Sequence, residues 1–459
     1  MLKIKNKKAA VIGFSKRTGV SAAKSLIDNG AEVIVSDVKS PDQLKEERKM
    51  LKGYNVEYDL NGHSDKPLTS DFIVVSPGVP LDTPFFEKVK KKKIPVLSEI
   101  ELAYHLNQAN IIAITGTNGK TTTTSLTGKI LQGGNIGKVR VAGNIGTPFI
   151  SVVEDLSEED WVVLEVSSFQ LETIHDFKPD ISMFLNFTPD HLDRHKNKEE
   201  YWKAKRKIFS NQTIDDFALI NYDDNRVKEA ARNCNAEKYN ISLKKEINQG
   251  IYLKEGGLYL NNKEITHKKI IDIKDIPLIG LHNVQNTAFA VMAALLVGID
   301  KNIIQKEITN FNPDGHRLEI LSSEENYPLI IDDSKATNPD AAVNALKSIQ
   351  RPIVLIAGGQ DRGANFNEFS RLISNNVKTL ILLGETRSQL KKEVLKNGFN
   401  NIYTVEDMTE AVSIALAKLK KNDCLLLSPG CPSWDMYNSY KERGKIFKQE
   451  IESQSDILG

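Results

Sequence analysis

Cysteine is scarce in this chain, and so are long apolar runs and any excess of one charge. Its 459 residues include three cysteines, which are too few for a disulfide framework and lack the spacing of metal ligands. No apolar run reaches the roughly 18 residues of a membrane span, and residues 9–14 are too short for a signal core. With 61 basic and 60 acidic residues, the net charge is +1. These absences predict a cytoplasmic protein and favour neither a nucleic acid nor a membrane as partner.

The length predicts about three domains, at roughly 150 residues each. Apolar strands alternate with helical segments along the whole chain, and this rhythm restarts near residue 97 and again at the turn residues 312–315. We therefore expect an α/β protein of three domains, each with a mostly parallel sheet. A Rossmann-like domain would occupy residues 1–97, a P-loop-type ATPase domain residues 98–312, and a second Rossmann-like domain residues 313–459.

Residues 111–124 carry the strongest signal, Ile-Ile-Ala-Ile-Thr-Gly-Thr-Asn-Gly-Lys-Thr-Thr-Thr-Thr. A buried strand, a glycine turn and a helix follow one another, so backbone N–H groups and the helix dipole would face an anion. Lys120 adds a charge for the outer phosphates, and the Thr121 hydroxyl is a magnesium ligand in such loops. The loop is a short variant, because Ile114 stands where the usual P-loop has glycine. The alternative is an ordinary glycine turn, but four threonines are poor helix formers.

A second nucleotide signal lies at the start of the chain. Residues 8–13, 20–29 and 32–37 predict a βαβ unit, in which Asp37 follows Gly13 by 24 residues. Gly13 and Gly19 do not form the G-x-G-x-x-G fingerprint. The pattern therefore favours a mononucleotide or a sugar nucleotide over a dinucleotide.

Two charged residues of the central segment fall on apolar faces. Glu165 interrupts an apolar strand, where a carboxylate is costly unless it is paired or binds a cation such as magnesium. Lys205 shares a helical stripe with Trp202, Ile208 and Phe209, so it is expected to point inward. The alternatives are a salt-bridged strand acid and a lysine on a solvated basic face.

Polar residues also cluster later in the chain. Asn283 and Asn286 lie three apart near a predicted helix start, where amides cap the helix or grip a nucleotide. Four strands are predicted at residues 328–333, 352–357, 379–383 and 424–428, and polar residues follow three of them. Ligands of such sheets bind at the carboxyl ends of the strands.

Six stretches together resemble the Mur ligase family. They are Gly116-Thr-Asn-Gly-Lys-Thr121, Glu165-Val-Ser-Ser-Phe-Gln-Leu-Glu172, Asn186-Phe-Thr-Pro-Asp-His-Leu-Asp-Arg194, Gly315-His-Arg-Leu-Glu319, Asp332-Asp-Ser-Lys-Ala-Thr-Asn338 and Leu427-Ser-Pro-Gly-Cys-Pro-Ser433. The resemblance covers essentially the whole chain, although the first domain matches mainly in layout. It implies that the first domain holds the UDP group of a substrate, the second binds ATP, and the third carries an incoming amino acid and closes over a hinge at residues 313–315.

The resemblance also implies roles for single residues. The implied ATP contacts are Gly116, Thr117, Asn118, Gly119, Lys120, Thr121, Thr122, Asn283, Asn286, Arg317 and Asp333. The implied magnesium ligands are Thr121, Glu165, His191 and Lys205, the last as a carbamate formed with carbon dioxide. Lys120, Glu165, His191 and Lys205 are the implied catalytic residues. The implied substrate contacts are Thr18, Asp37, Ser76, Gly78, Asn144, Lys335, Thr337, Ser433 and Tyr440.

The implied activity is ADP-forming ligation by a monomer that uses ATP and Mg²⁺. UDP-N-acetylmuramoyl-L-alanine would be joined to D-glutamate through an acyl phosphate, in a cytoplasmic step of peptidoglycan synthesis. Three departures concern ligand contacts: an extra residue in the first glycine turn, Arg362 in place of lysine, and Tyr440 in place of phenylalanine. The alternatives are another Mur-type or folylpolyglutamate-type ligase, a P-loop ATPase switch, and a nicotinamide oxidoreductase.

Overall fold

The structure is a computed structural model that describes residues 2–190, 194–263, 265–311, 315–322 and 328–454. The chain forms two compact units, Met1–Asp275 with Gln285–Phe311, and Ile276–Val284 with Asn312–Gly459. Two sheets lie in the first unit and a third sheet lies in the second. The predicted α/β class with three mostly parallel sheets is confirmed. The boundaries at residues 97/98 and 312/313 stay predictions, and the predicted hinge at residues 313–315 lies mostly outside the described residues.

The first sheet is fully parallel, in the order β3-β2-β1-β4-β5. Its strands are β1 (Lys8–Ile12), β2 (Glu32–Ser36), β3 (Val56–Asp59), β4 (Phe72–Val75) and β5 (Val96–Ser98). The helices of this part are α1 (Thr18–Asp28), α2 (Lys45–Met50), α3 (Pro84–Lys91) and α4 (Glu99–Leu106). Both faces of the sheet are covered: Ala9 and Val11 belong to one apolar cluster, Ala10 and Ile12 to another. The βαβ unit predicted at residues 8–37 is confirmed.

The second sheet has nine strands in the order β14-β13-β12-β11-β10-β9-β6-β8-β7. They are β6 (Asn110–Thr115), β7 (Val139–Gly143), β8 (Trp161–Glu165), β9 (Ile181–Phe184), β10 (Phe217–Asn221), β11 (Glu237–Ser242), β12 (Gly250–Lys254), β13 (Gly257–Asn261) and β14 (Lys268–Asp272). The helices are α5 (Lys120–Gly133), α6 (Ser168–Glu172), α7 (Lys198–Arg206), α8 (Asn225–Ala230), α9 (Leu281–Leu296) and α10 (Lys301–Thr309). Strand β13 pairs antiparallel with both β12 and β14.

The third sheet runs β15-β16-β20-β17-β18-β19, with only β15 antiparallel to its neighbour. Its strands are β15 (Glu319–Ser322), β16 (Leu329–Asp332), β17 (Ile353–Ala357), β18 (Val377–Leu382), β19 (Ile402–Thr404) and β20 (Cys424–Leu427). The helices are α11 (Pro339–Ser348), α12 (Asn367–Asn376), α13 (Arg387–Lys396), α14 (Met408–Lys418) and α15 (Tyr440–Ser453). The four predicted strands are β16, β17, β18 and β20. In the part of the chain that the structure describes, no helix has the length and apolarity of a membrane span.

Candidate active site

The loop predicted to bind phosphate, residues 116–119, connects β6 to α5, and we call it the phosphate loop. Gly119 precedes the helix with a φ of +84°, and a side chain there would clash with the amide of Asn286. Lys120 folds back over the loop, and its Nζ donates to the carbonyls of Gly116 and Thr117, 2.9 Å each. Thr123 Oγ1 donates to the Gly119 carbonyl at 3.0 Å, so this threonine stabilises the first turn of α5. The loop therefore presents a lysine and a helix N-terminus together.

Asn186, which the sequence analysis did not single out, fastens this loop. It follows β9, and its Oδ1 accepts from the backbone N–H groups of Thr117 at 3.1 Å and Asn118 at 2.8 Å. Its Nδ2 donates to the Asn118 carbonyl at 3.0 Å. One amide side chain thus satisfies three backbone groups of the loop. In the sequence, the one feature that could have indicated this role is that Asn186 is a polar residue at the end of an apolar strand.

Glu165 ends β8 beside the loop, because β8 lies between β6 and β7 in the sheet. Its side chain is buried, and its Oε1 accepts from Asn144 Nδ2 at 2.7 Å. Among the described residues, its Oε2 has no hydrogen-bond partner. An unpartnered buried carboxylate oxygen is costly, so this position fits a cation ligand.

Lys205 lies on the inward face of α7 and is 1% exposed, so it does not lie on a solvated face. Its Nζ donates to the Gly116 carbonyl at 2.7 Å and lies 4.7 Å from the centre of the Tyr201 ring. Burial first, and then the nearby charge of Lys120, hold the pKa of Lys205 well below its usual range. The side chain is therefore held where an ammonium ion is disfavoured. By contrast, the side chain of Lys203 on the same helix is 58% exposed.

These residues fit a magnesium-bound triphosphate. Backbone N–H groups, Lys120 and the half-buried Thr121 could contact the phosphates and the metal, and the unpartnered oxygen of Glu165 could act as a hard anionic ligand. Thr122, next in the helix, is buried. His191, another predicted ligand, lies outside the described residues.

Three of the four predicted contacts of the first domain meet at the carboxyl ends of β1, β2 and β4. Asp37 Oδ2 accepts from the Phe14 N–H at 2.6 Å. Thr18 Oγ1 contacts Ser76 Oγ at 3.3 Å, and Ser76 Oγ donates to the Gly13 carbonyl at 2.6 Å. Space is open around Gly78 in this part of the structure. This edge of the sheet is where a parallel sheet binds its ligands.

The second unit gathers predicted nucleotide contacts. Asp333 is buried, and its carboxylate accepts from Ser428 Oγ at 2.7 Å and from the Leu318 N–H at 3.2 Å. Burial raises the pKa of Asp333 to about 7, although the positive charge of Arg317 opposes the rise. The Arg317 Nε is buried without a hydrogen-bond partner among the described residues. Asn283 Nδ2 donates to the Ile279 carbonyl at 2.8 Å, so this side chain also stabilises the backbone just before α9.

The predicted amino-acid contacts lie in the same unit. Lys335 Nζ sits 5.6 Å from the centre of the Tyr440 ring, which brings these two residues together. Ser433 is buried after β20, and the Thr337 N–H donates to the Lys335 carbonyl at 2.9 Å. Lys335 and Thr337 follow β16, so the set lies near the carboxyl ends of adjacent strands.

The buried Glu99 should make the stability of the protein depend on pH. It is 1% exposed, its Oε1 accepts from the Ile150 N–H at 2.7 Å, and burial raises its pKa from 4.5 to about 7. Between these values the folded state binds the proton more tightly than the unfolded state, so stability falls as pH rises. Glu99→Gln removes this titration. We expect the variant to gain about 1–3 kcal/mol of unfolding free energy over wild type on going from pH 5 to pH 8.

Urea unfolding of both proteins at the two pH values measures this gain. Glu154→Gln, at an exposed position of the same region, is the matched control and should show no pH-dependent difference. A Glu99→Gln effect of equal size at both pH values would contradict the raised pKa.

Comparison with known proteins matches all three parts of the chain to one family. Residues 8–85 match the MurD N-terminal domain, residues 114–294 the Mur ligase middle domain, and residues 316–431 the Mur ligase glutamate ligase domain. A relative from Clostridioides difficile, named UDP-N-acetylmuramoylalanine–D-glutamate ligase, is 43% identical and covers 98% of this chain and 99% of its own. A relative of the same name from Alkaliphilus metalliredigens is 41% identical with the same coverage.

Solved structures show the same fold at lower identity. A pseudomurein peptide ligase type C from Methanothermus fervidus superposes with a TM-score of 0.60 at 18% identity, covering 98% of this chain and 100% of its own. A UDP-N-acetylmuramate-alanine ligase from Thermotoga maritima gives 0.59 at 18% identity, with the same coverage. The domain matches and the full-length identity agree, and this chain belongs to the Mur ligase family.

Proposed function

We propose that this protein joins UDP-N-acetylmuramoyl-L-alanine to D-glutamate in an ATP-dependent, ADP-forming reaction. The observation that carries the proposal is the 43% identity, over 98% of the chain, to a relative named for that activity. The contacts of the loop support it, because the amines of Lys120 and Lys205 both donate to the Gly116 carbonyl and Glu165 ends the neighbouring strand. The sibling ligases share the fold at under 20% identity, which supports the fold alone.

The chemistry requires activation of an acid. A carboxylate is a poor electrophile and oxide a poor leaving group, so its oxygen first attacks the γ-phosphorus of ATP and ADP leaves. The acyl phosphate formed is then attacked at carbon by the glutamate amine, which loses a proton, and inorganic phosphate leaves. Lys120 is placed to bind phosphoryl oxygens on which charge develops during the first step. The loop fixed by Asn186 holds that lysine in position.

Magnesium, when bound, would supply positive charge that stabilises the phosphoryl oxygens as charge develops on them. Thr121, Glu165 and His191 are proposed to hold it. Asn144 orients Glu165 by donating to Oε1, which leaves Oε2 for the ion. Asn144 would also face the substrate acid.

Lys205 is proposed to act as a carbamate. A neutral Lys205 Nζ attacks the carbon of carbon dioxide, the N–C bond forms, and one proton is released, leaving an anionic group on nitrogen. The depressed pKa of Lys205 supports the neutral amine, and the carbamate nitrogen keeps one hydrogen for the Gly116 carbonyl. The change turns a buried neutral amine beside Lys120 into an anion, which attracts the Lys120 ammonium group and supplies a further ligand for magnesium.

The remaining contacts are proposed from the resemblance to the family. Thr18, Asp37, Ser76 and Gly78 would hold the UDP group, and Asn283, Asn286, Arg317 and Asp333 would contact ATP. Lys335, Thr337, Ser433 and Tyr440 would hold the glutamate. A monomeric state and a cytoplasmic location also stay predictions.

The decisive experiment measures ADP release and product mass. Purified protein receives ATP, Mg²⁺ and UDP-N-acetylmuramoyl-L-alanine with each of a panel of amino acids, and we expect a ligated product with D-glutamate but not with L-glutamate. Reactions without the UDP substrate are the control and should release no ADP above background. Preference for another amino acid would indicate a sibling ligase, and ADP release without any acceptor would indicate an ATPase switch.

A further inference from the structure

The glycine turn after β1 contains an arginine that reaches out of the first sheet. Five residues separate Gly13 from Gly19, and Arg17 directly precedes α1. Its Nη2 donates to the Gly143 carbonyl at 2.6 Å and its Nη1 to the Asn144 carbonyl at 3.2 Å. Gly143 is the last residue of β7 in the second sheet, and Asn144 begins the turn that follows it. One guanidinium therefore holds two successive carbonyls in the other sheet.

That turn also contacts the carboxylate proposed to bind magnesium. The Asn144 N–H donates to the Glu165 carbonyl at 2.7 Å, and Asn144 Nδ2 donates to Glu165 Oε1 at 2.7 Å. Gly143 has a φ of +99°, and a side chain there would clash with the Glu165 carbonyl. The turn is thus packed directly on Glu165, so a shift of its backbone moves the amide that orients the carboxylate.

On these contacts we infer that Arg17 is a positioning residue for the metal site: by holding Gly143 and Asn144, it fixes the orientation of Glu165. This inference rests on the proposed function, in which Glu165 binds magnesium. Arginine suits the task because its planar fork reaches two acceptors at once, whereas a lysine ammonium is a single point charge on a flexible stem.

Arg17 directly precedes Thr18, one of the residues proposed to hold the UDP group. Ser15 Oγ accepts from the N–H groups of Thr18 at 3.3 Å and Gly19 at 3.2 Å, and Thr18 contacts Ser76. The same short segment therefore contacts both the proposed UDP site and the support of Glu165.

A role limited to charge is the competing explanation. The positive charge of Arg17 lowers the pKa of the buried Glu99, against the larger effect of burial. Arg17→Lys keeps that charge and removes the two-acceptor fork. The substitution therefore separates positioning from charge compensation.

The test measures binding of the non-hydrolysable analogue AMPPNP by calorimetry, with and without Mg²⁺. We expect magnesium to tighten binding in wild type, and expect Arg17→Lys to lose about 3–10-fold of that tightening with its metal-free dissociation constant unchanged. Asn144→Ala should lose at least as much, and the double variant should be no worse than Asn144→Ala, since both act through one contact. Lys16→Gln, at the exposed neighbouring position paired with Glu46, is the matched control.

Full wild-type tightening in Arg17→Lys would overturn the inference and leave the proposed function standing. An additive loss in the double variant would also overturn it, because the two residues would then act separately. A wild-type protein that binds AMPPNP without any help from magnesium would overturn both the inference and the proposed metal-dependent function.

Discussion

Replacing Lys205 with alanine is expected to lower kcat by about 10³-fold, the equivalent of roughly 4 kcal/mol of lost transition-state stabilisation. The side chain is fully buried beside the phosphate loop, and its Nζ contacts the Gly116 carbonyl. If its working form is a carbamate, truncation removes an anionic metal ligand and leaves a cavity of similar size. Added acetate should enter that cavity and restore part of the activity, which steady-state ADP release would measure.

Two further measurements separate the carbamate from a lysine that only packs. Wild-type protein kept with ¹³C-labelled carbon dioxide should show a carbamate carbon resonance by NMR, and Lys205→Ala should lose it. Lys203→Ala, one exposed lysine on the same helix, should keep the resonance and wild-type kcat. Wild-type activity of Lys205→Ala without acetate would reject the carbamate. It would also be rejected if acetate failed to restore activity to Lys205→Ala and the wild-type protein showed no carbamate resonance.

Local patterns sufficed for the phosphate loop and for the inward lysine. Gly119 and Lys120 lie within one turn, so their spacing alone places the amine over the loop carbonyls. Lys205 was placed by its helical spacing from Trp202, and the structure buries both. The roles of these residues stay predictions, because spacing fixes where a side chain lies and not what it binds.

Contacts between distant parts of the chain were beyond those patterns. Asn186 acts on backbone groups 68 and 69 residues away, and Arg17 acts on carbonyls 126 and 127 residues away. The sequence around each residue does not indicate its partner, because that partner lies far away along the chain. The short edge strands β15 and β19 were also missed. Each pairs with only one neighbour and has no buried position, so neither shows the apolar pattern by which a strand is recognised.

The second large effect is expected for Glu165→Gln, which keeps the shape of the side chain and its contact with Asn144 but removes the charge. We expect kcat to fall by about 10²-fold and the Mg²⁺ concentration for half-maximal activity to rise by at least about 10-fold. Activity measured across a magnesium titration gives both values. Glu158→Gln, an exposed position shortly before β8, is the matched control.

The same substitution, Glu165→Gln, should stabilise the metal-free protein although it lowers activity. Without magnesium, the buried Glu165 Oε2 has no partner among the described residues, and an unsatisfied buried charge costs more than an unsatisfied amide. Metal-free Glu165→Gln should therefore unfold with about 1 kcal/mol more free energy than metal-free wild type, as urea titration would measure. A functional carboxylate kept at a cost in stability predicts both results together. A variant that loses stability and keeps its magnesium response would instead make Glu165 a structural acid, and the metal would need another ligand.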